Sequence, residues 1–367
     1  MSRLPSSLLV FLKILFLCCF ISGFVHFLRS IVPSYNGEDV YFPVHEKNSE
    51  KLNNQRRLEE INKFLNEFNW KIFERAPFSN LAVGVIASNR GGDYLLQSVG
   101  YFLKHLRNRT VIPQLNICNV EPTSFPQLEF FKNKIPIYSV NSFKNLSQFN
   151  LNVLEGRIQK EASDYWKCLQ MLTNLNQDYL LLLEDDAVVI PHFFTLMDSL
   201  ISQLNNSKFS HVDYVKLFHP WYLRKIPFIF QAMSFSIIFS TLLVYLFTRR
   251  FLIILILILT VVCYLNFKFL HYELLADIRF HISSSSYLIP PESCCTPAVL
   301  FRRRSAVKMI DELSSEKTHE KHAKDHILDE SRFFGRGTDF NYIVHIGHFS
   351  SIRQKEIPLE ALRKLNL

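Results

Sequence analysis

Three adjacent carboxylates are the part of this sequence best suited to chemistry. They stand in Leu183-Glu184-Asp185-Asp186-Ala187-Val188, with apolar residues on both sides. Neighbouring buried carboxylates repel, and are tolerated chiefly where a cation or several backbone donors offset their charge. The run before them, Tyr179 to Leu183, is apolar on both faces, as expected of a strand at the centre of a parallel sheet. Open α/β sheets bind ligands at the carboxyl ends of such strands. A hard divalent ion carrying a diphosphate suits that place, with one or two carboxylates as ligands and phosphate and water completing the shell. The plainer alternative is a solvated loop that caps the next helix.

Further candidates lie near the C-terminus. Lys324-Asp325-His326-Ile327-Leu328-Asp329 puts Asp325 and Asp329 at helical i, i+4 spacing. A transfer reaction needs one carboxylate to take a proton from the attacking hydroxyl, and Asp325 is the candidate. A solvated charged helix is the competing reading, and it fits the preceding stretch from Ser314 better than it fits Asp325. His345 and His348 follow the apolar strand Tyr342-Ile343-Val344; His345 is either a metal ligand or a hydrogen-bonded strand end. His319, His322 and His326 have a spacing that could hold zinc on a helix, but no fourth ligand is evident, which favours a solvated face. Arg302-Arg303-Arg304 either approaches phosphates or lies at a membrane surface.

Positioning these groups requires alternating strands and helices. Leu81 to Ala87 reads as a buried first strand that ends at Ser88-Asn89-Arg90-Gly91-Gly92, and Asp93 to Leu106 as a helix. Gln114 to Val120 and Ile135 to Val140 read as strands, residues 155–176 as a helix carrying Tyr165 and Trp166, and Asp213 to Phe218 as a further strand. Alternation of this kind predicts an α/β fold with right-handed crossovers. Ahead of it, Leu58, Ile61, Leu65, Phe68 and Ile72 recur at three- and four-residue spacing, an amphipathic helix from Lys51 to about Glu74.

Composition narrows the class. The 367 residues are 48% hydrophobic and include 34 Phe, which points toward lipid contact. The net charge of +8 is scattered, without the interleaved basic and aromatic stripe that nucleic acid demands, so no nucleic-acid partner is expected. Leu8 to Leu28, Ile226 to Phe247 and Phe251 to about Leu270 are each long enough to cross a bilayer as a helix. Arg3 and Lys13 place the N-terminus in the cytoplasm, and Arg249 and Arg250 do the same for the loop between the later runs. The expected organisation is therefore a cytoplasmic tail (1–7), a transmembrane anchor (8–28), a lumenal stem (29–75), a domain in two lumenal halves (76–225 and 271–367) and a transmembrane hairpin (226–270) between them. Glycosylation sequons at Asn108, Asn145 and Asn205 fall between the first and second runs. Of the seven Cys, four lie outside the apolar runs: Cys118 and Cys168 suit a long bridge, and Cys294 and Cys295 either a vicinal disulfide or crossed pairing.

Tyr179 to Ala187 is similar to the acidic motif of nucleotide-sugar glycosyltransferases with the GT-A fold, in its Glu-Asp-Asp form. The wider layout resembles the Golgi transferases that add N-acetylgalactosamine to the glycan of GPI anchors, the post-GPI-attachment (transmembrane protein 246) family. The matching segments are Glu184 to Asp186, Cys294-Cys295-Thr296-Pro297-Ala298-Val299-Leu300, and His345-Ile346-Gly347-His348-Phe349-Ser350-Ser351-Ile352, and the resemblance runs from Pro77 to Arg353. It implies a GT-A-like α/β domain interrupted by a two-helix transmembrane hairpin, in a multi-pass Golgi membrane protein with a lumenal catalytic domain. It further implies Mn2+ or another divalent cation, a UDP-sugar donor (UDP-GalNAc), a GPI-glycan acceptor and contact with membrane lipid. Carried onto this chain, Val83, Ala87, Asn89 and Arg90 line the uridine pocket. Asp186 is the metal carboxylate, with Asp185 or Glu184 reaching metal or ribose, and His345 completes the metal shell. Thr296 and Pro297 stand against the donor sugar in a turn stiffened by Cys294 and Cys295, unless that turn only braces the domain. Asp325 is the base or a donor-sugar contact. Rival readings are another membrane GT-A transferase with an N-acetylglucosamine or hexose donor, and a non-catalytic scaffold of the same fold.

Overall fold

In the computed structural model, residues 6–32, 38–43, 49–107, 109–141, 148–220, 229–248, 253–265, 272–291, 295–314, 323–350 and 352–356 are described. They divide into two compact units, residues 1–35 with 225–284, and residues 36–224 with 285–367.

The first unit is helical: Ser6–Ile31, Ile229–Thr248, Ile253–Leu265 and Tyr272–Ser283. Leu17 and Ile21 pack with Leu243, Val244, Leu255, Leu259 and Cys263 in one apolar cluster. Among the described residues no helix is long and apolar enough to cross a membrane. The three expected transmembrane segments are corrected accordingly, and with them the multi-pass Golgi-membrane location. In the third segment the described helix, Ile253–Leu265, holds 13 residues. At the usual rise such a helix is about 20 Å long, against the roughly 30 Å of a hydrocarbon core. Among the described side chains, Ser234, Ser236, Ser240 and Thr241 are polar positions in the second segment's helix, and Lys13 is a charged one in the first. Arg249 and Arg250 lie outside the described residues.

The second unit is α/β. Its strands in chain order are β1 (Phe78–Ala87), β2 (Ile112–Asn119), β3 (Ile137–Ser139), β4 (Tyr179–Glu184), β5 (Ala187–Val189) and β6 (Tyr214–Lys216). After residue 284 come β7 (Leu288–Ile289), β8 (Ala298–Arg302), β9 (Gly335–Thr338), β10 (Ile343–His345), β11 (Phe349–Ser350) and β12 (Lys355–Glu356). Eight of them form one sheet in the order β3-β2-β1-β4-β8-β6-β9-β7. The first four are mutually parallel, while β8 runs antiparallel to β4 and β6. Each part of the chain supplies strands the other needs, because β8 enters the middle of the sheet.

Leu180 to Leu183 are fully buried, as a strand covered on both faces must be. One face is covered by the helix Leu154–Thr173, whose Tyr165, Trp166, Leu169 and Leu172 pack with Leu180, Leu182 and Phe301. The helix Arg303–Leu313 joins this layer through Ala306, Met309 and Ile310. Elsewhere the helices Tyr94–Leu106 and Phe193–Asn205 meet through Phe102, Phe193 and Phe194, with ring centroids 5.2 to 6.0 Å apart. The disulfide Cys118–Cys168 ties β2 to the helix Leu154–Thr173, with Cα atoms 5.7 Å apart. Cys295 is also disulfide-bonded, and Cys294 lies outside the described residues.

The predicted amphipathic helix forms as Glu50–Glu67 and stops short of Glu74, with Ile61 and Leu65 buried. Arg302, Arg303 and Arg304 have local work: they donate to the carbonyls of Val212, Thr173 and Ser210 at 2.7, 3.0 and 2.6 Å.

Candidate active site

The chain runs from β1 outward to β2 and β3, then returns to the other side of β1 as β4, so the strand order reverses between β1 and β4. A crevice opens beyond the carboxyl ends of strands at such a switch point. Here those ends lead into Ser88-Asn89-Arg90 and Asp185-Asp186.

Asp185 and Asp186 form the turn between β4 and β5, and each is 1% exposed. Arg90 reaches both. One guanidinium nitrogen meets Asp185 Oδ1, and Nη1 lies 3.0 Å from Asp186 Oδ2. The Ser88 backbone N–H donates to Asp185 Oδ2 at 3.3 Å. The loop can deliver Arg90 because Gly91 and Gly92 both adopt positive φ, +74° and +75°, followed by Asp93 at +52°.

His345 arrives from the distant end of the sequence. Strand β10 pairs antiparallel with β5 so that His345 lies opposite Ala187, one residue past Asp186. The Ile346 N–H then donates to the Asp186 carbonyl at 2.9 Å, and His345 Nε2 stands 3.5 Å from Asp186 Oδ2. The chain passes so close that a Cβ on Gly347 would lie 2.1 Å from Asp186 Oδ2. His348 Nδ1 is 2.7 Å from the Tyr94 hydroxyl, which fastens this loop to the helix Tyr94–Leu106. Burial alone would push the Asp186 carboxyl up, but Arg90, His345 and Lys324 outweigh it and hold it below the usual carboxylate range. Burial likewise works against the Arg90 charge, and Asp186, Glu184 and Glu161 more than restore it.

Beside this cluster is a cavity of about 220 Å³ lined by Ile86, Ser88, Arg90, Glu121, Tyr165 and Lys324 among others. Glu121 follows β2 and accepts from Ser88 Oγ at 3.0 Å and from the Asn89 N–H at 3.3 Å. Lys324 is buried between two carboxylates, with Nζ 2.8 Å from Glu161 and 2.7 Å from Glu184. Burial works against its charge, but the two carboxylates win and push the ammonium pKa up. Glu161 moves up too, chiefly through burial. Ile352 also lines the cavity, and its carbonyl accepts from Arg157 Nε at 2.6 Å.

The residues singled out in the sequence divide as follows. Arg90, Asp185, Asp186 and His345 come together. Glu184 adjoins the cavity but is paired with Lys324, and among the described residues no three or more His, Cys, Asp or Glu side chains converge as a metal-holding group. Val83 and Ala87 are buried in β1 and do not line the cavity; the alternate residues Ile86 and Ser88 do. Asn89 contributes its backbone N–H to Glu121. Thr296 is buried with an unpartnered Oγ1, and the Pro297 carbonyl accepts from the Glu184 N–H at 2.8 Å. Cys295 stands just before them at φ +57°. Asp325 accepts from the Cys295 N–H at 3.3 Å, one residue from the cavity wall at Lys324. His326 is exposed, while His319 and His322 lie outside the described residues. Of the sequons, Asn205 is exposed and accepts from the Tyr179 hydroxyl at 2.7 Å; Asn108 and Asn145 are outside the described residues. Sequence reasoning missed Glu121, Glu161 and Lys324: Glu121 and Lys324 are charged residues at the edges of predicted elements, and Glu161 is one of several charged positions inside the predicted helix 155–176.

The fit of a divalent cation can be tested on the unpaired atoms. Asp186 Oδ1 and His345 Nδ1 are buried without a hydrogen-bond partner, and orphaned buried polar atoms are rare in proteins. A carboxylate oxygen and an imidazole nitrogen are both ordinary metal ligands, so Asp186 and His345 fit the group.

Solved structures with detectable likeness include glucosyl-3-phosphoglycerate synthase from Mycobacterium tuberculosis, in complex with Mn2+, UDP and phosphoglyceric acid. It is 9% identical over 69% of this chain and 69% of that one, with a TM-score of 0.28. The same enzyme with Mn2+, UDP and glucosyl-3-phosphoglycerate is 8% identical over 78% of this chain and 75% of that one, with a TM-score of 0.29. The family model described as GPI-N-acetylgalactosamine transferase PGAP4 matches residues 81–344, which takes in β1, the Glu184–Asp186 turn, β8 and β10 up to the residue before His345. This chain is a glycosyltransferase and belongs to the GPI-N-acetylgalactosamine transferase PGAP4 family.

Proposed function

We propose that the enzyme transfers N-acetylgalactosamine from UDP-GalNAc to the glycan of a GPI anchor, with Mn2+ or another divalent cation at Asp186 and His345. The observation that carries this reading is the unpaired Asp186 Oδ1 and His345 Nδ1 beside a cavity whose walls alternate in charge. When bound, the cation would supply positive charge against the departing diphosphate. Ser88, Glu121 and Glu184 would hold the nucleoside, their oxygens facing hydroxyl and ring N–H groups. Buried Thr296 Oγ1 would accept or donate to the donor sugar. Asp325 would take the acceptor proton: the acceptor oxygen bonds to the sugar's anomeric carbon, the bond from that carbon to the diphosphate breaks, and UDP leaves with the electron pair. The Cys295 N–H on Asp325 would orient that carboxylate.

The test is a donor panel. Full-length protein is assayed with UDP-GalNAc, UDP-GlcNAc and UDP-glucose on a GPI-linked glycan acceptor, with and without chelator. Turnover confined to UDP-GalNAc and abolished by chelation is the expected result. Preference for another donor overturns the donor assignment, and turnover of none overturns the reading as a whole.

A further inference from the structure

We propose that Arg90 is the resident counter-cation of the Asp185–Asp186 pair and is exchanged for the divalent cation, its guanidinium passing to the donor diphosphate. This rests on the metal reading above and adds a competition that the reading does not require.

Three observations carry it. Arg90 touches both carboxylates at once, and its Nη1 contacts Asp186 Oδ2, the oxygen that also faces His345 Nε2. A divalent cation at Asp186 and His345 would therefore meet a guanidinium on the same carboxylate, and like charges at that range repel strongly in a dry site. The grip is also incomplete, because Arg90 Nε is buried without a partner. Finally, the guanidinium has a route and a destination. Arg90 precedes Gly91 and Gly92, a Cβ at Gly91 would meet nothing within 4 Å, and Arg90 itself forms part of the cavity wall. A guanidinium released into that cavity would face the place where a nucleotide's phosphates would lie, and its planar fork suits two phosphate oxygens.

The exchange couples the two ligands. Without nucleotide, Arg90 competes with the cation; with nucleotide, the diphosphate takes Arg90 and the competition ends. The experiment is a titration of Mn2+ into the full chain, free Mn2+ being read by electron paramagnetic resonance, with and without UDP. Wild type should bind Mn2+ at least about tenfold more tightly when UDP is present. Arg90→Ala should bind Mn2+ alone at least about tenfold more tightly than wild type, and millimolar guanidinium should reverse that gain. Arg90→Lys, which keeps the charge but cannot bridge both carboxylates, should show a smaller gain and covers the case in which the alanine variant does not fold. Unchanged or weaker Mn2+ binding by the folded Arg90 variants overturns the exchange while leaving the metal reading intact. If Asp186→Asn leaves Mn2+ binding unchanged with UDP, the metal reading itself falls and the exchange falls with it.

Discussion

Replacing Gly347 with alanine isolates the position of Asp186 from its chemistry. The new methyl would lie 2.1 Å from Asp186 Oδ2 and 2.8 Å from its Cγ, so one of them must give by roughly 1 Å to reach ordinary contact. Neither is free to do so cheaply. Asp186 is held by Arg90 and by its place in the β4–β5 turn, and the loop after His345 is pinned by the Ile346 N–H and by the contact of His348 with Tyr94. Overpacking of this kind costs about 1–3 kcal/mol of stability. A misplacement of about 1 Å at a reacting site can cost about 100-fold in rate. Gly347→Ala should therefore fold, melt a few degrees lower and lose about 100-fold in kcat/KM. The control is Gly335→Ala, whose methyl would strike the Tyr214 ring at 2.3 Å in β6, away from the acidic turn. It should cost comparable stability with a far smaller loss of turnover. Thermal melts and transfer kinetics on both variants decide the matter. A Gly347→Ala protein with wild-type kcat/KM would refute the claim that the position of Asp186 governs the site.

Other perturbations read different parts of the structure. Lys324→Met leaves the half-buried Glu161 and Glu184 without their cation and should cost up to about 3 kcal/mol in a denaturant melt, much of it recovered when both are also changed to Gln. His105 contacts the Tyr41 hydroxyl at 3.1 Å, and burial, helped by Lys104, lowers its pKa to about 4. The unfolded chain protonates this residue first, near 6.5, so its contribution is present above that pH and is lost as pH falls toward 4. A loss of about 2 kcal/mol is expected by pH 5. His105→Gln should flatten that part of the pH dependence in urea melts at pH 7 and 5. The Cys118–Cys168 bridge closes a loop with a sequence separation of 50, and replacing both cysteines with serine should cost about 4 kcal/mol on the loop-entropy account, again read by melting.

The parts of the fold legible in the sequence were those written locally. The apolar run from Tyr179 and the carboxylates that end it identify β4 and its functional end, because a strand covered on both faces needs no partner to be recognised. The Cys118–Cys168 pairing was also legible, from the two cysteines' place outside the apolar runs. What depended on distant partners was not. His345 reaches Asp186 only through the β5–β10 ladder, which no local pattern announces. Lys324 looked like the edge of a solvated charged helix, and its burial follows from Glu161 and Glu184, over a hundred residues earlier. Val83 and Ala87 were carried into the donor pocket by the family resemblance, whereas the residues of this stretch that line the cavity are Ile86 and Ser88.

The most direct test of the account is a Mn2+ titration of UDP-GalNAc turnover by wild type and Asp186→Asn, with melting curves to show that both are folded. Asp186 is buried, charged, and carries an unpaired oxygen in the cluster that Arg90 and His345 complete. The account predicts that wild-type turnover requires the cation and that the variant loses at least about 100-fold at every Mn2+ concentration. Wild-type rates in chelator, or a folded Asp186→Asn protein with undiminished turnover, would contradict it.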